Sequence, residues 1–137
     1  MISERAPKHK ILVVDDSPVM LKALDRVLRG YPAARLEPHL ARDGAEAFAR
    51  LDEHPDVALV MLDLDVPALR GLDVLRKLRE QEATRDIPVV LQSTEDQMAE
   101  VHLGLSAGAR AYITKPFRII RLYRLLDALL AKAGPDD

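Results

Sequence analysis

Cysteine is absent from the 137-residue chain. Disulfides, thiol redox chemistry and thiolate metal centres are therefore excluded. An excess of charge of one sign is missing too: 20 basic residues face 22 acidic ones, for a net charge of -2. Nothing in that balance suggests a nucleic-acid partner or an anionic membrane. Long apolar runs are lacking, since the longest, Val57 to Leu62, is far too short to span a bilayer. The first ten residues, Met1 to Lys10, are polar and have no signal-peptide apolar stretch. The expectation is a cytoplasmic protein with neither a nucleic-acid nor a membrane partner. No internal repeat, low-complexity tract or second domain is visible. His9, His39, His54 and His102 are scattered without metal-ligand spacing and read as solvated surface groups.

Apolar residues make up 48% of the chain and charged residues 31%, the profile of one soluble globular domain with a real core. Short apolar runs alternate with helical patterns. A run over about 11–15 reads as a strand covered on both faces. Ser17-Pro18 offers an N-cap and a first-turn proline for a helix reaching Leu28, which Gly30 closes. Arg35 to Ala41 is the weakest strand, because Pro38 cannot donate to a ladder, and belongs at a sheet edge. A helix from Asp43 to Glu53 and a strongly apolar strand from Val57 to Asp63 follow. Pro67 and Gly71 bracket a loop before a helix over 72–81. The remaining elements are a strand over 87–93, a helix over 95–106 ended by Gly108, a strand over 109–114 and a helix over 118–132. Five strands alternating with five helices imply parallel βα units with right-handed crossovers, a doubly wound α/β domain. Its expected span is 10–131, with flexible ends over 1–9 and 132–137.

Four strand ends carry the chemistry: Asp15-Asp16, Asp63, Ser93 and Lys115-Pro116. In an open parallel sheet ligands bind at the carboxyl ends of the strands. Three carboxylates gathered there repel one another unless they are protonated or a cation neutralises them, and an oxygen-only set of few ligands suits Mg²⁺. Asp63 can attack phosphorus to form an aspartyl phosphate, with the Lys115 ammonium to neutralise charge and the Ser93 hydroxyl as a hydrogen-bond donor. Each residue also has a bland reading. Asp15 or Asp16 can cap the helix that follows, Asp63 can cap a loop, Ser93 can cap the helix near Glu95, and Lys115 can be a solvated loop lysine.

Taken together these segments resemble the receiver domain of bacterial two-component response regulators, the chemotaxis CheY-like fold. The resemblance runs from about Lys10 to Leu130. It rests on Ile11 to Asp16, on Leu62 to Pro67 with Gly71-Leu72, on Ser93, and on Ala107 to Phe117. It implies a flavodoxin-like (βα)5 sheet of order 2-1-3-4-5. It implies that Asp63 accepts a phosphoryl group from a sensor histidine kinase or phosphotransfer protein, acting as an acceptor with slow autodephosphorylation and not as a turnover enzyme. Asp15, Asp16, Asp63 and the backbone carbonyl of Asp65 would bind Mg²⁺. Ser93 and Thr94 would lie at the phosphoryl group with Lys115, Tyr112 would turn inward when Ser93 moves, and the Lys115-Pro116 peptide would be cis. The face made by the fourth helix, fifth strand and fifth helix would bind a downstream protein or a second copy of the chain.

Several positions depart from that pattern. Thr94 stands where Ala or Gly is usual, and is expected to narrow access to Asp63 and slow small phosphodonors. Arg70 replaces a common Asp, with a loop effect only. Asp65 and Glu95, each two residues past a site residue, add negative charge expected to alter metal affinity and phosphoryl lifetime. In the last helix Ile119, Leu122, Tyr123, Leu126 and Leu130 form the sheet-facing stripe, while Ile120, Leu125 and Leu129 fall at its edges. Arg118, Arg121 and Arg124 read as a solvated helix face, with a docking surface as the alternative. Two other functions fit parts of the pattern. Asp63-Leu-Asp65-Val66 matches the haloacid-dehalogenase nucleophile motif, but there the nucleophile strand comes first and the acidic pair last. A receiver-shaped module that signals without phosphorylation would not need the complete site. No DNA-binding or catalytic output module follows Leu130: for a stand-alone chain the expected output is a partner protein or phosphate traffic between kinases, and for a fragment the output domain lies outside this sequence.

Overall fold

A computed structural model describes residues 8–66 and 70–131, the side chain of Ala131 excepted. The elements run β1 (Lys8–Val14), α1 (Pro18–Arg29), β2 (Arg35–Ala41), α2 (Gly44–Glu53), β3 (Val57–Asp63), α3 (Gly71–Glu80), β4 (Val89–Ser93), α4 (Met98–Ser106), β5 (Ala111–Thr114) and α5 (Ile119–Ala131). The strands form one parallel sheet of order β2-β1-β3-β4-β5. This is the doubly wound architecture that the alternation implies, in the flavodoxin-like strand order that the resemblance implies.

Both sheet faces are buried, which is why the strands read as unbroken apolar runs. Along β1, Ile11 and Val13 pack under α1 and α5 with Leu21, Leu24, Leu28, Leu122 and Leu126. Leu12 and Val14 turn the other way, toward Ala47 and Leu51 of α2, Leu75 and Leu78 of α3, and Val101 of α4. Each fully buried Leu or Ile contributes about 1.5–3 kcal/mol relative to exposure. β2 is an edge strand, where Pro38, opposite Ile11, needs no second neighbour.

Ser17 caps α1, its hydroxyl accepting from the Met20 N–H at 3.2 Å, with Pro18 in the first turn. Gly30 ends α1, but not through a left-handed backbone: its φ is -86°. A Cβ there would lie 3.2 Å from the Tyr123 hydroxyl, which donates to the Val27 carbonyl, so the residue is small to admit that tyrosine. Asp43 caps α2 through the Glu46 N–H at 2.8 Å.

Several boundaries differ from expectation. β1 begins at Lys8, ahead of the apolar run from about residue 11, since Lys8 and His9 pair with Arg35 and Leu36. The rest of the 1–9 segment, the 132–137 tail and Pro67 lie outside the described residues. β4 begins only after Pro88, and β5 only at Ala111. The helix expected from Glu95 opens with a 3₁₀ turn over Glu95–Gln97. In α5 the buried stripe is Leu122, Leu126, Leu129 and Leu130 at i, i+4, i+7 and i+8. Ile119 is 51% exposed, because the first turn of α5 begins at the carboxyl edge of the sheet, where no strand remains to cover it. His39 and His54 are not independent surface groups. Their rings stack at 3.9 Å, with Glu37 bonded to His39 at 2.6 Å and the Lys10 ammonium 3.3 Å from His54 Nδ1.

Candidate functional site

Strand register brings the four strand ends together. Val14 is level with Leu62, Asp63 with Gln92, and Ser93 with Thr114. Each of the next residues, Asp15 and Lys115, therefore emerges at the height of Asp63 and Ser93. The Lys115 N–H donates to the Ser93 carbonyl at 2.7 Å, carrying the ladder to the rim of the site.

Asp15 and Asp63 are 1% and 4% exposed, whereas Asp16 is open to solvent. One oxygen from each of the three carboxylates lies within 4.8 Å of the others. Lys115 Nζ stands 3.0 Å from Asp15 Oδ2 and 3.2 Å from Asp63 Oδ2. The second oxygen of each buried acid takes a backbone donor: Ser17 N–H reaches Asp15 Oδ1 at 2.9 Å, and Asp65 N–H reaches Asp63 Oδ1 at 3.2 Å. Asp15 and Asp63 thus do cap their own loops, but with one oxygen each, leaving the other for the shared site.

Burial raises the Asp63 pKa above the ordinary carboxylate value; the Asp65 N–H and Lys115 oppose this, while Asp15 adds to it. Burial works against the Lys115 ammonium as well. The Asp15 and Asp63 carboxylates outweigh it and hold the Lys115 pKa above the usual lysine value. Three carboxylates facing one ammonium leave an excess of negative charge. An oxygen-only set with that excess fits a hard divalent cation that retains several waters, which is the chemistry of Mg²⁺.

Ser93 is fully buried and its Oγ has no hydrogen-bond partner among the described residues. It does not cap the following helix. That work is done by Thr94 in a capping box with Gln97: the Thr94 N–H donates to Gln97 Oε1 at 2.8 Å. Thr94 is exposed and its hydroxyl donates to Asp96, so it is engaged inside the turn. A buried hydroxyl without a partner is costly in an ordinary core and fits a position that meets a polar group delivered from outside. Tyr112 lies outward, 36% exposed, and the Lys115-Pro116 peptide is cis. Arg70 precedes α3 as its N-cap residue and makes no side-chain cap hydrogen bond. Arg118, Arg121 and Arg124 are exposed and line a groove of about 630 Å³ with Lys115, Glu95 and Ile120.

Two polar residues of this region escaped the sequence reading. Gln97 is buried and its Nε2 donates to Asp65 Oδ1 at 2.7 Å, linking two loops of the site. The Thr94-x-x-Gln97 spacing of a capping box was the available signal. Gln92, paired in register with Asp63, is fully buried, and neither atom of its amide has a partner among the described residues. No sequence signal distinguishes it within its apolar strand.

The family profile of the response regulator receiver domain matches residues 11–127. Chemotaxis protein CheY1 of Helicobacter pylori is 35% identical over 123 residues, 88% of this chain and 96% of that protein. Response regulator MprA of Mycolicibacterium vanbaalenii is 38% identical over 131 residues, which cover 93% of this chain but 53% of that protein. Among solved structures, the receiver domain of a Pseudomonas aeruginosa sensor histidine kinase superposes with a TM-score of 0.79 at 26% identity, over 91% of this chain and 99% of that one. That structure has a magnesium ion coordinated in its active-site cleft. Among the described residues no helix is long and apolar enough to cross a membrane.

Proposed function

The chain belongs to the response regulator receiver domain family, and on that premise we propose that it is a phosphorelay switch with Asp63 as its phosphoacceptor. Receiver domains act opposite histidine kinases or phosphotransfer proteins and are acceptors, not turnover enzymes. The observation that carries the assignment is the Asp15–Asp16–Asp63 cluster with Lys115 seated between its two buried members.

In the proposed reaction an Asp63 oxygen attacks the phosphorus of a partner's phosphohistidine. The N–P bond breaks and its electron pair returns to the imidazole. Asp15, Asp16, Asp63 and the Asp65 carbonyl would hold Mg²⁺, which supplies charge to offset the phosphoryl oxygens. Lys115 moves its ammonium from the Asp63 carboxylate to the new phosphoryl oxygens, and the unpaired Ser93 hydroxyl donates to another. Drawing Ser93 inward lets Tyr112 leave its exposed position, which alters the surface of α4, β5 and α5. A downstream protein, or a second copy of the chain, would read that surface in the cytoplasm. Neutralising Asp65 and Glu95 together should change the dephosphorylation rate.

Intact mass after incubation with Mg²⁺ and a small acyl-phosphate donor, and in parallel with a phosphorylated histidine kinase, tests the assignment. One added phosphoryl group, lost in Asp63→Asn or without Mg²⁺, is expected, with the kinase faster than the small donor if Thr94 restricts access. An adduct that survives Asp63→Asn, or none from either donor, would overturn it.

A further inference from the structure

Gln97 ties together the two loops that flank the phosphoacceptor. Its Oε1 accepts from the Thr94 N–H at 2.8 Å, next to Ser93, and its Nε2 donates to Asp65 Oδ1 at 2.7 Å. The amide is buried, and only this orientation matches a donor to the carboxylate and an acceptor to the N–H. Asp65 in turn donates its own N–H to Asp63 Oδ1 while its carboxylate stands exposed at the mouth of the site.

We propose that Gln97 is a positioning residue that lengthens the life of the phosphoryl group on Asp63 by tethering the Asp65 carboxylate toward the β4–α4 turn. This inference rests on the reading of Asp63 as phosphoacceptor. Loss of the phosphoryl group is hydrolysis. A water oxygen bonds to phosphorus, the P–O bond to Asp63 breaks with its electron pair returning to the carboxylate, and the proton of the water passes to solvent. Such attack is limited by orientation, so a group that accepts a hydrogen bond from the water and aligns it accelerates the step. Asp65 is a candidate for that role once it can turn toward Asp63. While Gln97 Nε2 holds one of its oxygens, a charge-assisted bond opposes the turn.

The tether can be separated from the capping box. Glu serves that box as well as Gln, so Gln97→Glu keeps the acceptor for Thr94 but loses the donor to Asp65 and repels it. In the double variant Asp65→Asn/Gln97→Glu, donor and acceptor exchange places at constant net charge, which restores the tether. Each protein is phosphorylated with an acyl phosphate or a phosphorylated kinase and freed of donor, and its adduct is followed by intact mass. Gln97→Glu should shorten the lifetime by about threefold to tenfold, whereas adding it to Asp65→Asn, which has no carboxylate to release, should leave that variant's lifetime unchanged. Asp65→Asn alone serves as the reference for the double variant. An unchanged lifetime in Gln97→Glu, or a comparable shortening when it is added to Asp65→Asn with thermal stability unaltered, would overturn the tether alone. Absence of any adduct on the parent would instead overturn the phosphoacceptor reading, and the tether with it.

Discussion

Lys115 and Asp15, separated by 100 positions in the chain, meet at 3.0 Å, and the same ammonium lies 3.2 Å from Asp63. One cation therefore offsets two buried anions from two different strands. Lys115→Met leaves both carboxylates facing each other without it. The expected loss of stability in the absence of divalent cation is about 1–3 kcal/mol, read from urea unfolding. The same variant should bind Mg²⁺ more tightly than the parent, since the competing positive charge is gone. Weaker binding in a Mg²⁺ titration would count against the shared-site geometry.

Asp63 is held with its pKa above the ordinary value, chiefly by burial. Between the ordinary and the raised value, the folded protein binds more protons than the unfolded chain. Stability from this group is therefore fully present in acid, below the ordinary carboxylate value, and is lost as pH rises through the raised one. Asp63→Asn removes the cost and should melt higher than the parent at neutral pH without Mg²⁺. The gap should close as the pH falls. Thermal melts across pH 3 to 8 check both the sign and the window.

A cation held by the three carboxylates would stabilise only the folded state, where they converge. A Mg²⁺ concentration about 100-fold above the dissociation constant should add about 2.7 kcal/mol, reversed by a chelator. The gain should fall in acid, where protonation of Asp63 competes with the cation. Asp16→Asn should reduce it with little effect on the cation-free protein, because Asp16 is exposed. Chelation with no effect on the melt at neutral pH would show that the cluster does not hold the ion.

Gly71 sits where α3 begins, against the loop that carries Asp63 onward. A Cβ added there would fall 2.6 Å from the Asp63 carbonyl oxygen and 2.7 Å from Leu64 Cα, both backbone atoms with no room to give. Gly71→Ala should cost about 2–3 kcal/mol. Because the displaced strand end holds Asp63 and Asp65, Mg²⁺ affinity should fall too. Urea unfolding and a Mg²⁺ titration on the same preparation check the pair of effects.

Much of this architecture was legible beforehand, for a physical reason. A parallel sheet covered on both faces needs continuous apolar strands, so Ile11 to Val14 and Val57 to Leu62 announce themselves, and the first polar residue after each marks a strand end. Ser17-Pro18 and Asp43 mark helix starts because a capping side chain acts on backbone amides within three residues. Boundaries such as the start of β4 were less legible, since Ile87 is as apolar as any strand residue and only pairing ends the strand at Val89.

Local facts could be read from the order of residues alone: element types, caps, the edge position of the Pro38 strand and the chemical kinds of side chain placed at each strand end. Those follow from periodicity and from interactions that close within a few residues. The tertiary structure decided which of these groups meet and which do not. Register set Asp15, Asp63 and Lys115 around one point and left the Ser93 hydroxyl buried and unpaired. It also joined Gln97 to Asp65 across 32 positions and stacked His39 on His54. Such contacts depend on how strands align and helices pack, and a distance between two residues far apart in the chain has no local cause to read.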